Sequence, residues 1–245
     1  MKKFLIPKAI LFDLDDTILD DDIVSEEAWK ETCVINANMV ASVTVDELFR
    51  QINIDRTAFW NDRANLMGGA WKNLFQSRMT IVRSALKKLS CENDEIAREI
   101  VNTYEILKVK MVRLFPNAER TLNELERRGI KLALLTNGAA ESQKTKIRKM
   151  ELEAHFAVCL IEGEVGFGKP DPRIFQMAVD KLQVSPVDTW MVGDRLEFDI
   201  LGAQNVGIKG IWCDYRRKGL PADSTVIPEA IIHDISDLIN LIAER

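Results

Sequence analysis

Residues 9–19 read A-I-L-F-D-L-D-D-T-I-L, and this stretch decides the fold. Its first four residues are apolar, as a strand buried on both faces of a parallel sheet requires. Three aspartates, Asp13, Asp15 and Asp16, follow at once. At the carboxyl end of a central parallel strand, such side chains project into the crevice where open α/β sheets bind their ligands. The stretch therefore predicts a strand that ends in a functional site.

Asp13 and Asp15 lie two residues apart, so in an extended chain they share a face and repel each other unless a cation or a shared proton relieves them. Mg²⁺ suits this role, because it binds a few carboxylate oxygens while keeping waters and substrate phosphate. A calcium loop is excluded, because Ile18 replaces the glycine of its sixth position and Val24 the glutamate of its twelfth. A solvated acidic loop is the alternative when the stretch is taken alone.

Composition limits the classes of function. The chain has 245 residues, 47% of them hydrophobic, and a net charge of −5. This charge argues against nucleic-acid binding through bulk electrostatics. Four widely spaced cysteines without a C-x-x-C pair favour reduced thiols over a zinc site or a disulfide framework. No run approaches the ~18 apolar residues of a membrane span. We therefore expect a cytoplasmic protein without nucleic-acid or membrane partners.

The spacing of apolar residues predicts two domains. Between the first strand and Pro116 they recur at helical intervals, which indicates an all-helical insert. Beyond Pro116 strands alternate with helices, which predicts a doubly wound, Rossmann-like parallel sheet of the α/β class. The expected division is a catalytic core of residues 1–17 and 114–245 and a helical cap domain of residues 18–113. The aromatic residues expected to form the core of the insert are Trp29, Phe49, Phe59, Trp60, Trp71 and Phe75.

Polar side chains follow three of the predicted strands. Asp13 follows the first strand, Thr136 and Asn137 follow a second, and Asp194 follows a later one. Since the carboxyl ends of parallel strands meet at one edge of a sheet, these residues should gather there. Lys169 follows a glycine-rich segment at a helix start, which makes it a partner for an anionic phosphate or a carboxylate nucleophile.

In order and spacing, these motifs resemble those of the haloacid dehalogenase-like hydrolase superfamily, whose members are mostly Mg²⁺-dependent phosphatases with an aspartate nucleophile. Residues 13–17 match the D-x-D-x-T motif, residues 135–138 the second motif, 168–171 the third and 193–199 the fourth. The helical insert resembles the first cap class of this family. The resemblance covers almost the whole chain.

The resemblance implies roles for individual residues. Asp13 would attack phosphorus to form an aspartyl phosphate, and Asp15 would protonate the leaving alcohol and then activate water. Thr136 and Asn137 would bind the phosphate, and Lys169 would neutralise the nucleophile and the transferring phosphoryl group. The implied Mg²⁺ ligands are Asp13, Asp194 and the backbone carbonyl of Asp15, with Asp199 in the next shell holding a metal-bound water.

Two positions depart from the fourth motif: Arg195 stands where Ser is common and Phe198 where Asn is common. Neither change removes a ligand. Within the superfamily, the acid at Asp15 favours phosphoryl transfer over dehalogenation. A sugar-phosphate mutase stays open as an alternative. A phospho-accepting receiver module is the alternative of another class, and the first-strand Asp13 and the helical insert count against it.

The fourth motif and the sequence after it look most like the branch that includes N-acylneuraminate-9-phosphate phosphatase and house-cleaning nucleotidases. We expect the substrate to be a small phosphate monoester, such as a sugar phosphate or a nucleotide. The helical insert is expected to act as a mobile cap. Asn65 and Lys72, which flank Gly68 and Gly69, are its candidate substrate contacts.

Overall fold

The structure is a computed structural model that describes residues 4–40 and 43–243, with the backbone alone at residues 66, 67, 71 and 72. In this part of the chain, six parallel strands form one sheet in the order β3-β2-β1-β4-β5-β6. The predicted α/β class and doubly wound parallel sheet are confirmed. The strands are β1 (Ala9–Phe12), β2 (Lys131–Thr136), β3 (Val158–Ile161), β4 (Thr189–Gly193), β5 (Lys209–Cys213) and β6 (Ala230–Ile232).

The first strand lies inside the sheet and is fully buried. Phe12 pairs with Leu134 of β2 on one side and with Val192 of β4 on the other. The order of the strands reverses between β1 and β4, and such a switch point opens a crevice at the carboxyl ends of the strands. The backbone N–H of Asp13 continues the pairing by donating to the carbonyl of Val192 at 2.9 Å.

Contacts divide the chain into two compact units, Met1–Asp21 with Arg113–Arg245 and Asp22–Val112. The second unit is helical, and its core contains Trp29 stacked on Tyr104 with ring centroids 3.9 Å apart. Four of the aromatic residues predicted for this core pack against it, whereas the side chain of Trp71 lies outside the described residues. The first five α-helices in the described part of the chain are α1 (Asp21–Asn36), whose first residue belongs to the other unit, α2 (Val45–Asn61), α3 (Arg63–Met67), α4 (Leu74–Lys88) and α5 (Asp94–Met111).

Two helix starts in this unit differ from the predicted ones. Ser25, followed by two glutamates, is the cap that the sequence suggests for the first helix. The helix begins four residues earlier, at Asp21, because acids in a first turn interact favourably with the helix dipole. For the second helix the sequence suggests Asp46 as the cap. The structure has Thr44 in that position, and Thr44 forms a reciprocal capping box with Glu47. In both cases acidic side chains are distributed over the first turn, so the sequence leaves the exact cap ambiguous.

The segment around the glycine pair contains the two candidate substrate contacts. A pair of glycines predicts a break between helices. In the structure Gly69 has a φ of 76° and precedes a 3₁₀ turn, Ala70–Asn73. The Asn65 side chain donates to the carbonyl of Phe59 at 3.0 Å and thereby satisfies a group near the end of α2. The side chain of Lys72 lies outside the described residues. Substrate contact by either residue stays a prediction.

In the unit that contains the sheet, helices connect the strands. Two of these connections differ from what the sequence predicts. The glycine-rich segment of residues 162–169 predicts a loop, but residues 162–165 form a short helix. The helix predicted after Asp194 is a π-helix over Leu196–Leu201, in which the carbonyl of Arg195 accepts from the N–H groups of both Asp199 and Ile200. The helices of this unit are α6 (Ala118–Arg127), α7 (Ala140–Lys149), α8 (Glu162–Val165), α9 (Pro172–Leu182), α10 (Gly202–Gln204) and α11 (Asp237–Leu241).

Across the described residues, we find no helix with both the length and the apolar character that a membrane span requires.

Candidate active site

The structure brings the predicted core residues together at the carboxyl edge of the sheet. Thr136 ends β2, while Asp13 and Asp194 directly follow β1 and β4. These three strands are neighbours in the sheet. Lys169 comes from the segment between α8 and α9 and is 4% exposed. The site is therefore built on the ends of packed strands, which position side chains more firmly than loops do.

Lys169 holds two carboxylates at once. Its ammonium pairs with Asp13 Oδ1 and lies 2.7 Å from Asp199 Oδ1. Burial works to lower the pKa of Lys169, but the charges of Asp13 and Asp199 outweigh it and raise this pKa above its usual range. The lysine is therefore charged. The other oxygen of Asp13, Oδ2, accepts a hydrogen bond from Thr17 Oγ1 at 3.3 Å.

The acidic cluster carries more negative charge than the lysine neutralises. Burial raises the pKa of Asp13 to about 7, and Lys169 opposes this rise while Asp199 adds to it. Burial, followed by the charges of Asp13 and Asp199, raises the pKa of Asp194 well above its usual range. Asp13, Asp194 and Asp199 each offer a carboxylate oxygen, and these oxygens lie within 4.8 Å of one another. Such a set of hard oxygen donors fits a divalent cation.

Asp199 is held from two sides. Besides its ion pair with Lys169, its Oδ2 accepts from the backbone N–H of Arg195 at 2.9 Å. The Arg195 side chain is exposed, and its guanidinium carbon lies 5.3 Å from the centroid of the Phe198 ring. Because the contact to Asp199 comes from the backbone, the departure from the common Ser leaves this anchor in place.

The second motif positions the lysine of the third. Asn137 Oδ1 accepts from the backbone N–H of Lys169 at 2.8 Å, and Asn137 Nδ2 donates to its carbonyl at 2.7 Å. Both polar ends of this side chain therefore serve Lys169, a role that sequence reasoning missed. Glu162 was also missed, and its carboxylate accepts from the backbone N–H of Gly138 at 3.1 Å.

Asp15 has its own basic partner. Lys146 Nζ donates to Asp15 Oδ1 at 2.7 Å, and Gln143 Nε2 donates to Asp15 Oδ2 at 2.9 Å. Relief of the repulsion between Asp13 and Asp15 by a cation or a shared proton stays a prediction, and in the structure each of them also has its own lysine, Lys169 at Asp13 and Lys146 at Asp15. Sequence reasoning missed both donors. Their spacing of three residues places them on one face of a helix, but it does not tell which residue that face contacts.

Comparison with known proteins assigns the family. The model of the haloacid dehalogenase-like hydrolases matches residues 7–207. A phosphoserine phosphatase of Thermus thermophilus is 34% identical over 94% of this chain and 97% of its own length. An N-acylneuraminate-9-phosphatase of Rattus norvegicus is 27% identical over 94% of this chain and 92% of its own. The solved structure of the HAD-hydrolase YfnB from Bacillus subtilis, bound to magnesium, has a TM-score of 0.77 at 24% identity and covers 98% of this chain and 99% of its own.

The chain belongs to the haloacid dehalogenase-like hydrolase family, as the four motifs predicted. The enzyme class predicted from the sequence, a phosphoric monoester hydrolase, agrees with the names of these relatives and is confirmed at that level.

Proposed function

We propose that this protein is a Mg²⁺-dependent phosphatase that hydrolyses a small phosphate monoester through an aspartyl phosphate on Asp13. The observation that carries the proposal is the setting of Asp13 at the switch point of the sheet. This buried carboxylate is held by Lys169 and Thr17 and stands beside a further acid, Asp194. A carboxylate fixed in this way is a suitable nucleophile for covalent phosphoryl transfer.

The first step forms the covalent intermediate. A carboxylate oxygen of Asp13 bonds to phosphorus while the bond from phosphorus to the alcohol oxygen breaks. The departing oxygen keeps the electron pair of that bond and takes a proton from Asp15. The charged Lys169, already in contact with Asp13, stabilises negative charge on the transferring group. Thr136 and the backbone of Asn137 are the proposed phosphate contacts at the end of β2.

The second step returns the enzyme to its starting state. Asp15, now ionised, takes a proton from a water molecule whose oxygen attacks phosphorus. The bond between phosphorus and the Asp13 oxygen breaks, and inorganic phosphate leaves. Asp15 is thereby protonated again for the next cycle. The same side chain thus gives a proton in one step and receives one in the other.

The residues present fit a Mg²⁺ ion. Asp13 and Asp194 offer carboxylate oxygens in the same buried cluster, and their repulsion calls for a cation. The backbone carbonyl of Asp15 is the proposed third protein ligand, and Asp199, whose carboxylate is fixed by its two donors, is proposed to hold a metal-bound water. When bound, the ion supplies charge neutralisation at the phosphoryl oxygens.

The helical part of the chain, residues 18–113, is proposed to act as a cap that selects the substrate. The core residues named above contact only the phosphoryl group and the leaving oxygen. Every phosphate monoester has these two groups, so the core residues cannot select among such substrates. The sequence relatives act, by their names, on phosphoserine, glyceraldehyde 3-phosphate and N-acylneuraminate 9-phosphate. A small phosphorylated metabolite of this kind is the proposed substrate.

The test is a panel of phosphate monoesters that contains these three compounds, a nucleoside monophosphate and 4-nitrophenyl phosphate. Release of inorganic phosphate is measured with Mg²⁺ and with excess chelator. We expect hydrolysis with Mg²⁺, none with chelator, and none in Asp13→Asn, because the amide is a poor nucleophile.

Asp188→Asn is the matched control, since it removes a carboxylate beside the amino end of β4, where Asp188 pairs with Lys8. It should hydrolyse at the wild-type rate. Wild-type hydrolysis that persists in excess chelator would contradict the metal dependence. Unchanged turnover in Asp13→Asn would contradict the assignment of the nucleophile.

A further inference from the structure

Both oxygens of the Asp15 carboxylate are occupied by donors from one helix. Lys146 reaches Oδ1 at 2.7 Å and Gln143 reaches Oδ2 at 2.9 Å. The two donors are three residues apart on α7, so they lie on the same face of that helix. Neither residue belongs to the four motifs that predict the chemistry.

Gln143 has an orientation fixed by its surroundings. Its Nε2 lies 2.9 Å from Asp15 Oδ2, 3.0 Å from the carbonyl of Asn137 and 2.6 Å from Thr136 Oγ1. A carboxylate and a carbonyl only accept hydrogen bonds, so the amide nitrogen must face them. The side chain is 3% exposed. Gln143 therefore connects the acid of the first motif with the residues of the second.

Lys146 is a fixed charge beside the same acid. Its Nζ contacts Asp15 Oδ1 at 2.7 Å and Asp21 Oδ1 at 3.1 Å. Burial works to lower the pKa of Lys146, but the two carboxylates raise it above its usual range. Lys146 therefore contacts Asp15 from a position that it shares with a second carboxylate, and it acts on the geometry of the acid.

We propose that Gln143 and Lys146 are positioning residues that hold the Asp15 carboxylate in the orientation needed for proton transfer to the leaving group. This inference rests on the proposed phosphatase function. Asp15 is situated in a tight turn, in which Asp16 has a φ of 57° and donates from its backbone to the carbonyl of Leu19. The turn fixes the backbone of this segment, and the two donors fix the carboxylate itself.

Orientation matters because a general acid works only within hydrogen-bond reach of the atom that it protonates. A carboxylate without fixed partners samples several rotamers, and only a fraction of them point at the leaving oxygen. Donors on both oxygens remove this freedom. The effect should therefore appear where protonation of the leaving group limits the rate, and disappear where the leaving group needs no proton.

The test compares two substrates in five variants: two that remove a donor, two matched controls and one conservative replacement. Lys146→Met and Gln143→Leu each remove one donor. The first matched control is Lys144→Met, on the same helix as the two donors, which breaks the ion pair of Lys144 with Glu164 of α8. The second is Gln176→Leu, which breaks the bond of Gln176 to Asp180 on α9. The substrates are the best alkyl phosphate of the panel, with a poor leaving group, and 4-nitrophenyl phosphate, with a good one. The measured quantity is kcat/KM, which reports the steps up to the first phosphoryl transfer.

We expect each donor variant to lose roughly 10- to 100-fold in kcat/KM with the alkyl phosphate, a part of the 10²–10⁴ that a general acid contributes. With 4-nitrophenyl phosphate the loss should stay within about threefold, because this leaving group departs without a proton. Lys146→Arg should recover much of the loss, since it keeps a charged donor. Both controls should behave as wild type with either substrate.

Two results would overturn the inference: equal losses with both substrates, which indicate a general collapse of the site, or no loss with the alkyl phosphate. Thermal melting identifies a variant that fails to fold. In that case the kinetics of the other donor variant test the inference. Failure of the proposed function looks different, because the wild-type protein would then hydrolyse neither substrate.

Discussion

Gly193, the last residue of β4, leaves room for the carboxylate of Asp199. A Cβ added at Gly193 would lie 2.6 Å from the Cβ of Asp199 and closer still to its carboxylate, whereas ordinary contacts of a Cβ begin at 3.4 Å. The substitution Gly193→Ala therefore forces Asp199 to move by ~1 Å or more, which is enough to disturb catalysis. Such a movement breaks the 2.7 Å ion pair with Lys169 and the bond from the Arg195 backbone.

Two magnitudes follow from this displacement. Overpacking in a buried region costs about 1–3 kcal/mol, which lowers the melting temperature by roughly 2–4 °C per kcal/mol in a chain of this size. Misplacement of a group that positions catalytic residues by ~1 Å costs about 10²-fold in rate. Gly193→Ala should therefore melt several degrees lower and lose about 10²-fold in kcat/KM.

The control is Gly210→Ala on the neighbouring strand β5. A Cβ there would lie 2.5 Å from Cγ2 of Ile200, the residue next to Asp199 on the same π-helix. Both variants should lose similar stability in thermal melting. Gly210→Ala should lose clearly less kcat/KM than Gly193→Ala, because its Cβ meets Ile200, 3.2 Å from the Cα of that residue, and reaches Asp199 only through the neighbouring backbone. Equal activity losses in the two variants, or full activity in Gly193→Ala, would refute the claim that catalysis requires Asp199 to stay in its contact with Lys169.

The remaining predictions address the acid, the cation and the lysine. Asp15→Asn should lower kcat by roughly 10²- to 10⁴-fold with alkyl phosphates and less with aryl phosphates, and a loss independent of the leaving group would contradict its role. Without metal, the melting temperature should fall as pH rises from 5 to 7, because the raised pKa values of Asp13 and Asp194 make the folded state keep protons that the unfolded chain releases. Mg²⁺ should accordingly raise the melting temperature more at pH 7.5 than at pH 5.5, and Asp194→Asn should remove most of this response. Asn137→Ala should lower kcat/KM by releasing the backbone of Lys169, and wild-type kinetics would contradict this.

The sequence predicts the parts of the site that lie on strand ends. The apolar run before Asp13 and the strand before Asp194 predict that these two aspartates meet, because the carboxyl ends of neighbouring parallel strands lie at one edge of the sheet. Lys169 was also selected from the sequence as a candidate site residue, because it follows a glycine-rich segment at the start of a helix. The positions of the two aspartates at the sheet edge follow from where each strand ends, and the spacing of apolar residues in the sequence indicates those ends.

The contacts that the sequence does not predict depend on how helices pack. Gln143 and Lys146 meet Asp15 only because α7 docks with that face toward the turn after β1, and no local pattern encodes this choice. The side chain of Asn137 serves the Lys169 backbone, although its motif alone suggests phosphate. The π-helical turn after Arg195 has the same residue pattern as an α-helix and differs only in its hydrogen bonds.

The central claim is a covalent phosphoryl group on Asp13, and the Asp15→Asn variant offers the most direct way to trap it. With radiolabelled 4-nitrophenyl phosphate the first step needs no proton from residue 15, whereas hydrolysis of the intermediate lacks its base. We predict that acid quench during turnover finds the label on the protein, and that peptide mapping places it on Asp13. Label on another residue, or release of labelled phosphate without any protein-bound label, would contradict the account.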